Sequence, residues 1–421
     1  MQTILTFITR VDPAKLASLE GLLQEIQDSN PTGHHPALPL ADLKRLHFGS
    51  MVIFKDPDGN YDPTLVFENN FDGELDDYLE DLLERAAAGL HQIYSHCFDY
   101  RATGSQDRGE ILAFLHAHIV RPNAYHIGNV GRSVARIKQE EEMMDGIEAF
   151  LDGLAREGLE DVSPSSVRNS IQQFMESKPE WAWARQAQRR MTFAERLIPW
   201  AKVIGVGLLV LILLPLLLPF LIIYVIALRG REITDRSEIP SPDQGQIQQL
   251  ARREDHIVQN HMASLCYVKP GRFRRATLRG VLWLANLVAR VSYKGKLSGL
   301  DSLHFAHWVL IDNGRRLLFL TNYDGSWENY LDDFIDKAAL GLTGIWSNTM
   351  DFPRTSFLVF GGARDAARFK AIARRTQAYT NVWFSAYPKL TVQGVDNNST
   401  IREDLFRSLC ETATMNWLRR F

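Results

Sequence analysis

At 421 residues the chain is long enough for two or three domains of ordinary size. Its composition, 45% hydrophobic and 23% charged, is that of a folded protein and excludes a disordered or low-complexity chain. A net charge of −3 gives no general basis for binding nucleic acid, and three widely separated cysteines (Cys97, Cys266 and Cys410) exclude a disulfide framework or a C-x-x-C zinc site.

The chain opens on MQTILTFITRVDPAK, which has no basic leader followed by a long apolar core. Residues 3–11 are therefore expected as a strand and not as a secretory signal. DPAKLASLEGLLQEIQD follows, with apolar residues at helical spacing. Residues 47–54 and 64–70 are β-rich runs separated by Asp56-Pro57-Asp58-Gly59-Asn60, a hairpin signal. A helix is predicted over about 74–96 and a further strand near Tyr125. The order β-α-β-β-α-β is that of a ferredoxin-like domain.

Residues 201–228 read AKVIGVGLLVLILLPLLLPFLIIYVIAL. The 26 uncharged residues after Lys202 exceed the roughly 20 that carry a helix across a bilayer core. Arg196 and Trp200 on one side, and Tyr224, Arg229 and Arg231 on the other, are residue types that anchor such a segment at the interface. Basic residues flank it on both sides, with Arg185, Arg189, Arg190 and Arg196 before it and Arg229, Arg231 and Arg236 after it, so charge does not orient it. Pro215 and Pro219 either kink a spanning helix or mark the tip of a re-entrant hairpin. The first arrangement puts the flanking domains on opposite faces of a membrane; the second keeps them together.

The stretch LVFENNFDGELDDYLEDLLERAAAGLHQIYSHCFD, residues 65–99, aligns without gaps on LLFLTNYDGSWENYLDDFIDKAALGLTGIWSNTMD, residues 317–351, with 15 of 35 positions identical. Leu46-His47-Phe48 matches Leu303-His304-Phe305, and Asn123-Ala124-Tyr125-His126 resembles Asn381-Val382-Trp383-Phe384. The chain is a duplication. The second copy is expected to hold a strand at 262–268, a helix at 272–291, strands at 304–311 and 316–321 joined through Asp312-Asn313-Gly314, and a helix at 327–345. SFLVFGG, a helix over 364–377, a strand at 382–386 and a terminal helix follow. The fold class is α+β: ferredoxin-like repeats over 1–160 and 256–421, a helical linker over 161–200, the apolar segment 201–228, and a linker over 229–255. Two such repeats on one side of a membrane can pair face to face as an α+β-barrel pseudo-dimer.

The repeated Asn-aromatic-Asp-Gly motif, Asn70-Phe71-Asp72-Gly73 and Asn322-Tyr323-Asp324-Gly325, falls between strand and helix. Either its aspartates cap the helix that follows, or they line the barrel mouth. His47 and His304 begin equivalent strands, where a histidine facing a cavity suits haem ligation or proton shuttling. His307 has no histidine counterpart in the first copy. GRFRRATLRGVLWLANLVARV sets Arg272, Arg274, Arg275 and Arg279 beside Trp283, within residues 256–300, which carry eight Lys and Arg and no acid. This fits a helix on an anionic lipid surface. The acidic run 72–84 is expected to face away from lipid or to pair with that basic block.

The Asp-Gly pairs, within a paired-domain pattern, resemble the Gly-x-x-Asp-Gly motif of dye-decolourising peroxidases, although its first glycine is Asn69 in one copy and Thr321 in the other. That resemblance implies haem as cofactor and Asp72 and Asp324 as catalytic groups, and the strand-end residues His47, His304, Asn70 and Asn322 are the candidate cofactor-binding groups. Over most of its length the chain resembles a family of uncharacterised bacterial membrane proteins in which LHFAHWVLID and LLFLTNYDGSWENYLDDFIDKA recur. This implies the bacterial inner membrane with the soluble domains in the cytoplasm. The expected function is a membrane-tethered binding protein for a small hydrophobic or haem-like ligand, with peroxide-linked chemistry as its enzymatic form. The alternative is a non-enzymatic membrane scaffold or lipid-interacting protein; self-association stays open.

Overall fold

The computed structural model describes residues 1–29, 33–156, 163–186, 193–235, 243–291 and 299–421. Lys294, Lys296, Arg189, Arg190 and Arg236 lie outside the described residues. The first copy runs β1 (Gln2–Arg10), α1 (Leu16–Ser29), β2 (Leu46–Phe54), β3 (Thr64–Asp72), α2 (Leu75–Tyr94), α3 (Arg108–Ala117), β4 (Ala124–Ile127) and α4 (Val134–Arg156). Between the copies lie α5 (Pro164–Glu176), α6 (Phe193–Thr234) and α7 (Gln244–Leu250). The second copy runs β5 (Gln259–Tyr267), α8 (Arg272–Val291), β6 (Leu303–Ile311), β7 (Arg316–Asp324), α9 (Trp327–Trp346), the short pair β8 (Thr355–Ser356) and β9 (Phe360–Gly361), and α10 (Ala366–Thr376). It ends with β10 (Gln377–Ala378), β11 (Thr380–Ser385), α11 (Val392–Leu405) and α12 (Glu411–Leu418).

The class is mixed α+β with antiparallel sheets, and one sheet has the order β1-β3-β2-β11, the other β10-β5-β7-β6-β4. The strand expected near Tyr125 exists, but it does not close its own copy's sheet. β4 pairs with β6 of the second copy, and β11 pairs with β2 of the first. The exchange is reciprocal down to side chains. Asn123 Oδ1 accepts from Leu310 N at 2.7 Å, and its counterpart Asn381 Oδ1 accepts from Ile53 N at 3.0 Å.

The same two segments close the ring. Upstream of β4, Ile119 bridges Phe7 of β1, with Ile8 N donating to His118 O and Val120 N to Thr6 O. Upstream of β11, β10 pairs with β5. Each exchanged segment therefore hydrogen-bonds one sheet at its start and the other at its end, leaving few open strand edges.

Strand periodicity divides the side chains between two environments. Leu5, Phe7, Met51, Phe67 and Phe71 face outward into a core with Leu23 of α1, Leu82 of α2 and Ile111 of α3. Met262, Trp308, Phe319 and Tyr323 meet Leu282 of α8, Phe334 of α9 and Ile372 of α10. Each such fully buried side chain contributes about 1.5–3 kcal/mol. Facing inward, Val52, Phe54 and Val66 pack on Ala263, Val309, Leu318 and Leu320 of the other sheet. A side bundle repeats the interlock: α5 packs on α12, and Arg168 donates to the carbonyls of Asp404, Leu405 and Arg407.

Candidate functional site

β2 and β6 each carry a register irregularity, between Leu46 and Phe48 and between Leu303 and Phe305. The skipped residues are His47 and His304. A bulge re-aims its residue, and here it turns both histidines into one end of the ring. His47 lies against the rings of Phe305 and Tyr387, at 5.4 and 5.7 Å, and His304 against Phe48 and Tyr387, at 5.1 and 6.0 Å.

Both aspartates of the repeated motif arrive at this end. His304 Nε2 donates to Asp324 Oδ1 at 2.7 Å, and His47 Nε2 lies 3.1 Å from Asp72 Oδ1. The other carboxylate oxygens accept from Val392 N and Val134 N, both at 2.7 Å. The expectation that they cap the helix that follows is corrected. α9 is capped by Ser326, and Glu74 stands at the start of α2 with no side-chain hydrogen bond. Asp72 and Asp324 instead hold the N-termini of α4 and α11, the helices following the exchanged strands, where backbone amides and the helix dipole favour a carboxylate. Asp324→Ala is expected to destabilise the protein by about 2–3 kcal/mol, and Asp324→Asn by about half of that, because the amide oxygen still accepts from Val392 N. Urea unfolding of the two variants measures the ratio; equal losses would show that the carboxylate's contact with His304 matters more than the cap.

One layer deeper, the motif asparagines converge on a residue that the sequence did not single out. Glu68 is fully buried on β3. Asn70 Nδ2 donates to its Oε1 at 2.9 Å, and Asn322 Nδ2 lies 3.4 Å from the same oxygen. Its Oε2 accepts from Ser50 at 3.1 Å and from His261 Nε2 at 3.1 Å. His261 Nδ1 meets the Thr380 hydroxyl at 2.9 Å. His307 Nδ1 lies 3.5 Å from Oε1, and its Nε2 meets Thr6 at 2.9 Å. Burial opposes a charge at Glu68, but the hydrogen bond from His261, the nearby histidines and Asn70 outweigh it and hold the carboxyl down at about 2. Burial pushes His307 down to about 4, so its ring is neutral near pH 7.

The cluster is one-sided. The register equates Glu68 with Leu320, His261 with Ile4 and His307 with Ser50. Sequence reasoning missed Glu68 because an acid inside an apolar strand reads as an exposed position. It missed His261 because the strand was expected from 262, whereas β5 begins at Gln259.

These residues do not fit a haem. His47 Nδ1 is taken by the Tyr387 hydroxyl at 2.9 Å and its Nε2 faces Asp72. His304 Nε2 is taken by Asp324, and both rings are covered by aromatic neighbours. Among the described residues no group of three or more His, Cys, Asp and Glu is placed to hold a metal ion.

A second candidate surface lies outside the ring. Trp200–Thr234 is a helix long and apolar enough to cross a membrane, and none of its most apolar window is buried in the protein. Its end docks on the second copy. Tyr224 stacks on Phe273 at 5.2 Å and bonds Thr277, Arg231 sits 4.3 Å over Phe273, and Leu228 is buried. Glu232 accepts from Thr355, Phe357 N and Leu358 N.

Beside it, α8 buries Leu278 and Leu282 while Trp283, Leu284 and Val288 stay more than half exposed. Arg272 and Arg279 are exposed near the helix start, and Arg275 is half-buried with its guanidinium toward Asn313 O. Arg274 is corrected as a surface residue: it is buried and donates to Asp235 at 2.6 Å, a carboxylate it shares with Lys269. In α2, Asp77 pairs with Arg45 and Asp81 with Arg85, not with this block. No family model, curated protein or solved structure matches this chain.

Proposed function

We propose that the chain is a membrane-anchored, lipid-interacting protein. α6 enters the bilayer and α8 seats the ring on the lipid surface. The carrying observation is that the 35 residues Trp200–Thr234 form a helix with none of its most apolar window buried among the described residues. α8 supports the reading, because its exposed face runs from arginines to Trp283, Leu284 and Val288 beside the docked end of α6. Arginines at headgroup level contribute about 1 kcal/mol each on an anionic surface.

In this reading each copy is a ferredoxin-like unit whose closing strand has been exchanged, and the ring is a closed body. Glu68, its asparagines and His261 bond one another inside it, which suits a part that fixes register and rigidity better than one that takes up a soluble ligand. The body lies in the cytoplasm of a bacterium, on the inner membrane, as the arginines near the lipid surface favour.

An environment-sensitive fluorophore on Leu284→Cys, in a Cys410→Ser background, tests this in nanodiscs. Its emission is expected to shift to the blue and to be quenched by brominated lipid. The shift should deepen when anionic lipid is added and lose that dependence in Arg272→Gln/Arg279→Gln. Emission like that in water, in both lipid compositions, would reject the seating of α8.

A further inference from the structure

A helix crossing a bilayer separates its two ends by the membrane, and the described fold forbids that separation here. Residues before α6 supply β1 to β4 and residues after it supply β5 to β11, yet β4 and β11 lie in each other's sheets. The halves therefore occupy the same side.

Both ends of α6 are also tied to this body. At one end Glu232, Arg229 and Asp235 are bonded to the second copy: Glu232 to Thr355, Phe357 N and Leu358 N, Arg229 to Thr355 O, and Asp235 to Lys269 and Arg274. At the other end Ala184 is buried and Arg402 reaches the carbonyls of Trp183 and Gln186. Six residues separate Gln186 from Phe193, a reach of at most about 25 Å. α6 itself, 42 residues long, extends for about 60 Å, twice the hydrocarbon thickness. With its two flanks held by one body, a straight α6 across the bilayer would require that body to reach both faces. An interfacial position is no better, because a helix apolar on every side has no polar face to turn to water.

The sequence carries the remaining solution at its centre. Pro215 and Pro219 lack amide protons, so the carbonyls of Leu211 and Pro215 have no helical donor. Bending there exposes fewer unpaired donors to lipid than bending anywhere else in the segment. On either side, the uncharged stretches 203–214 and 220–228 are 12 and 9 residues, about 18 and 13 Å, enough to reach the region of the midplane and return. Both flanks are basic, with Arg185, Arg196 and Lys202 at one and Arg229 and Arg231 at the other, as the positive-inside rule requires of two ends on one face.

We infer that in the membrane α6 folds at Pro215–Pro219 into a re-entrant hairpin, with both ends on the face that carries the ring. The inference rests on the membrane-anchored reading, and one experiment separates the two. In sealed, uniformly oriented proteoliposomes, exposed Cys410 of the native chain reports the face of the body to a membrane-impermeant maleimide; Cys97 and Cys266 are buried. Phe193→Cys, Ile233→Cys and Leu217→Cys are then compared in the Cys410→Ser background. The hairpin predicts labelling of positions 193 and 233 from the face that labels Cys410, with position 217 protected from that face. Labelling of 193 from the opposite face would overturn the hairpin and leave the anchor standing. Rapid labelling of 217 from the body's own face would overturn both, because α6 would then lie in water.

Discussion

His261→Ala is expected to cost about 3–5 kcal/mol of stability, among the largest effects of any single side chain inside the ring. The substitution removes the strongest partner of Glu68, 3.1 Å away, and leaves a fully buried carboxylate to Ser50, the two asparagines and His307. Breaking a buried pair from one side strands a charge, whereas removing both members does not. Glu68→Gln, which keeps the shape and gives up the charge, should therefore cost only about 1–2 kcal/mol. Glu68→Leu/His261→Ile installs the residues that the opposite copy holds, Leu320 and Ile4, and should be milder than His261→Ala alone. Urea midpoints at pH 7 order the three; a double variant worse than the single would contradict the charge argument.

The same cluster sets an acid limit. His307 is neutral in the fold with its pKa pushed to about 4, while the unfolded chain takes up that proton near 6.5. Stability that is complete above pH 6.5 is therefore lost as pH falls toward 4. Glu68, held at about 2 against 4.5 unfolded, extends the loss below pH 4.5.

Gly128→Ala is expected to cost about 3 kcal/mol or more, because it strikes the exchanged strand where it leaves the second sheet. A Cβ there would lie 2.2 Å from Leu303 O and 3.4 Å from His304 O, and Gly128 N already donates to His304 O at 2.8 Å. The obstructing atoms are backbone of β6, which prevents relief unless the strand withdraws. At the matching junction Ala386 N donates to His47 O at 2.9 Å, so alanine is tolerated in one copy and excluded in the other. Hydrogen exchange should show the loss first in Asn123 N and Leu310 N, the amides that secure β4. Uniform loosening across both sheets would point away from the exchange.

Most of the secondary structure was legible because periodicity and turn chemistry are local. Residues 272–291 and 327–345 read as helices and appear as α8 and α9; Asp312-Asn313-Gly314 read as a tight turn and has three positive φ angles. The duplication was legible by direct alignment, and with it the equivalence of His47 to His304 and Asp72 to Asp324. The partner of a strand is not a local property. Nothing in residues 124–127 distinguishes pairing with β1 from pairing with β6, and the decisive groups, Asn123 and Asn381, act across 187 and 328 residues. The Asp-Gly motif misled for a related reason: an aspartate between a strand and a helix reads as that helix's cap, while its real partners, Val134 and Val392, lie far along the chain.

In the proposed arrangement, interlocking of the two halves places both on one face, seats α8 on lipid and makes α6 return. A protease site placed within 187–192 cuts the chain before α6 and so severs residues 1–186 from the membrane segment. In proteoliposomes cleaved to completion, the 1–186 fragment should remain with the membrane pellet through high-salt washes and leave only when denaturant unfolds the ring. Release of that fragment into the native supernatant would show that the halves fold separately, and the shared face and the hairpin would fall with it.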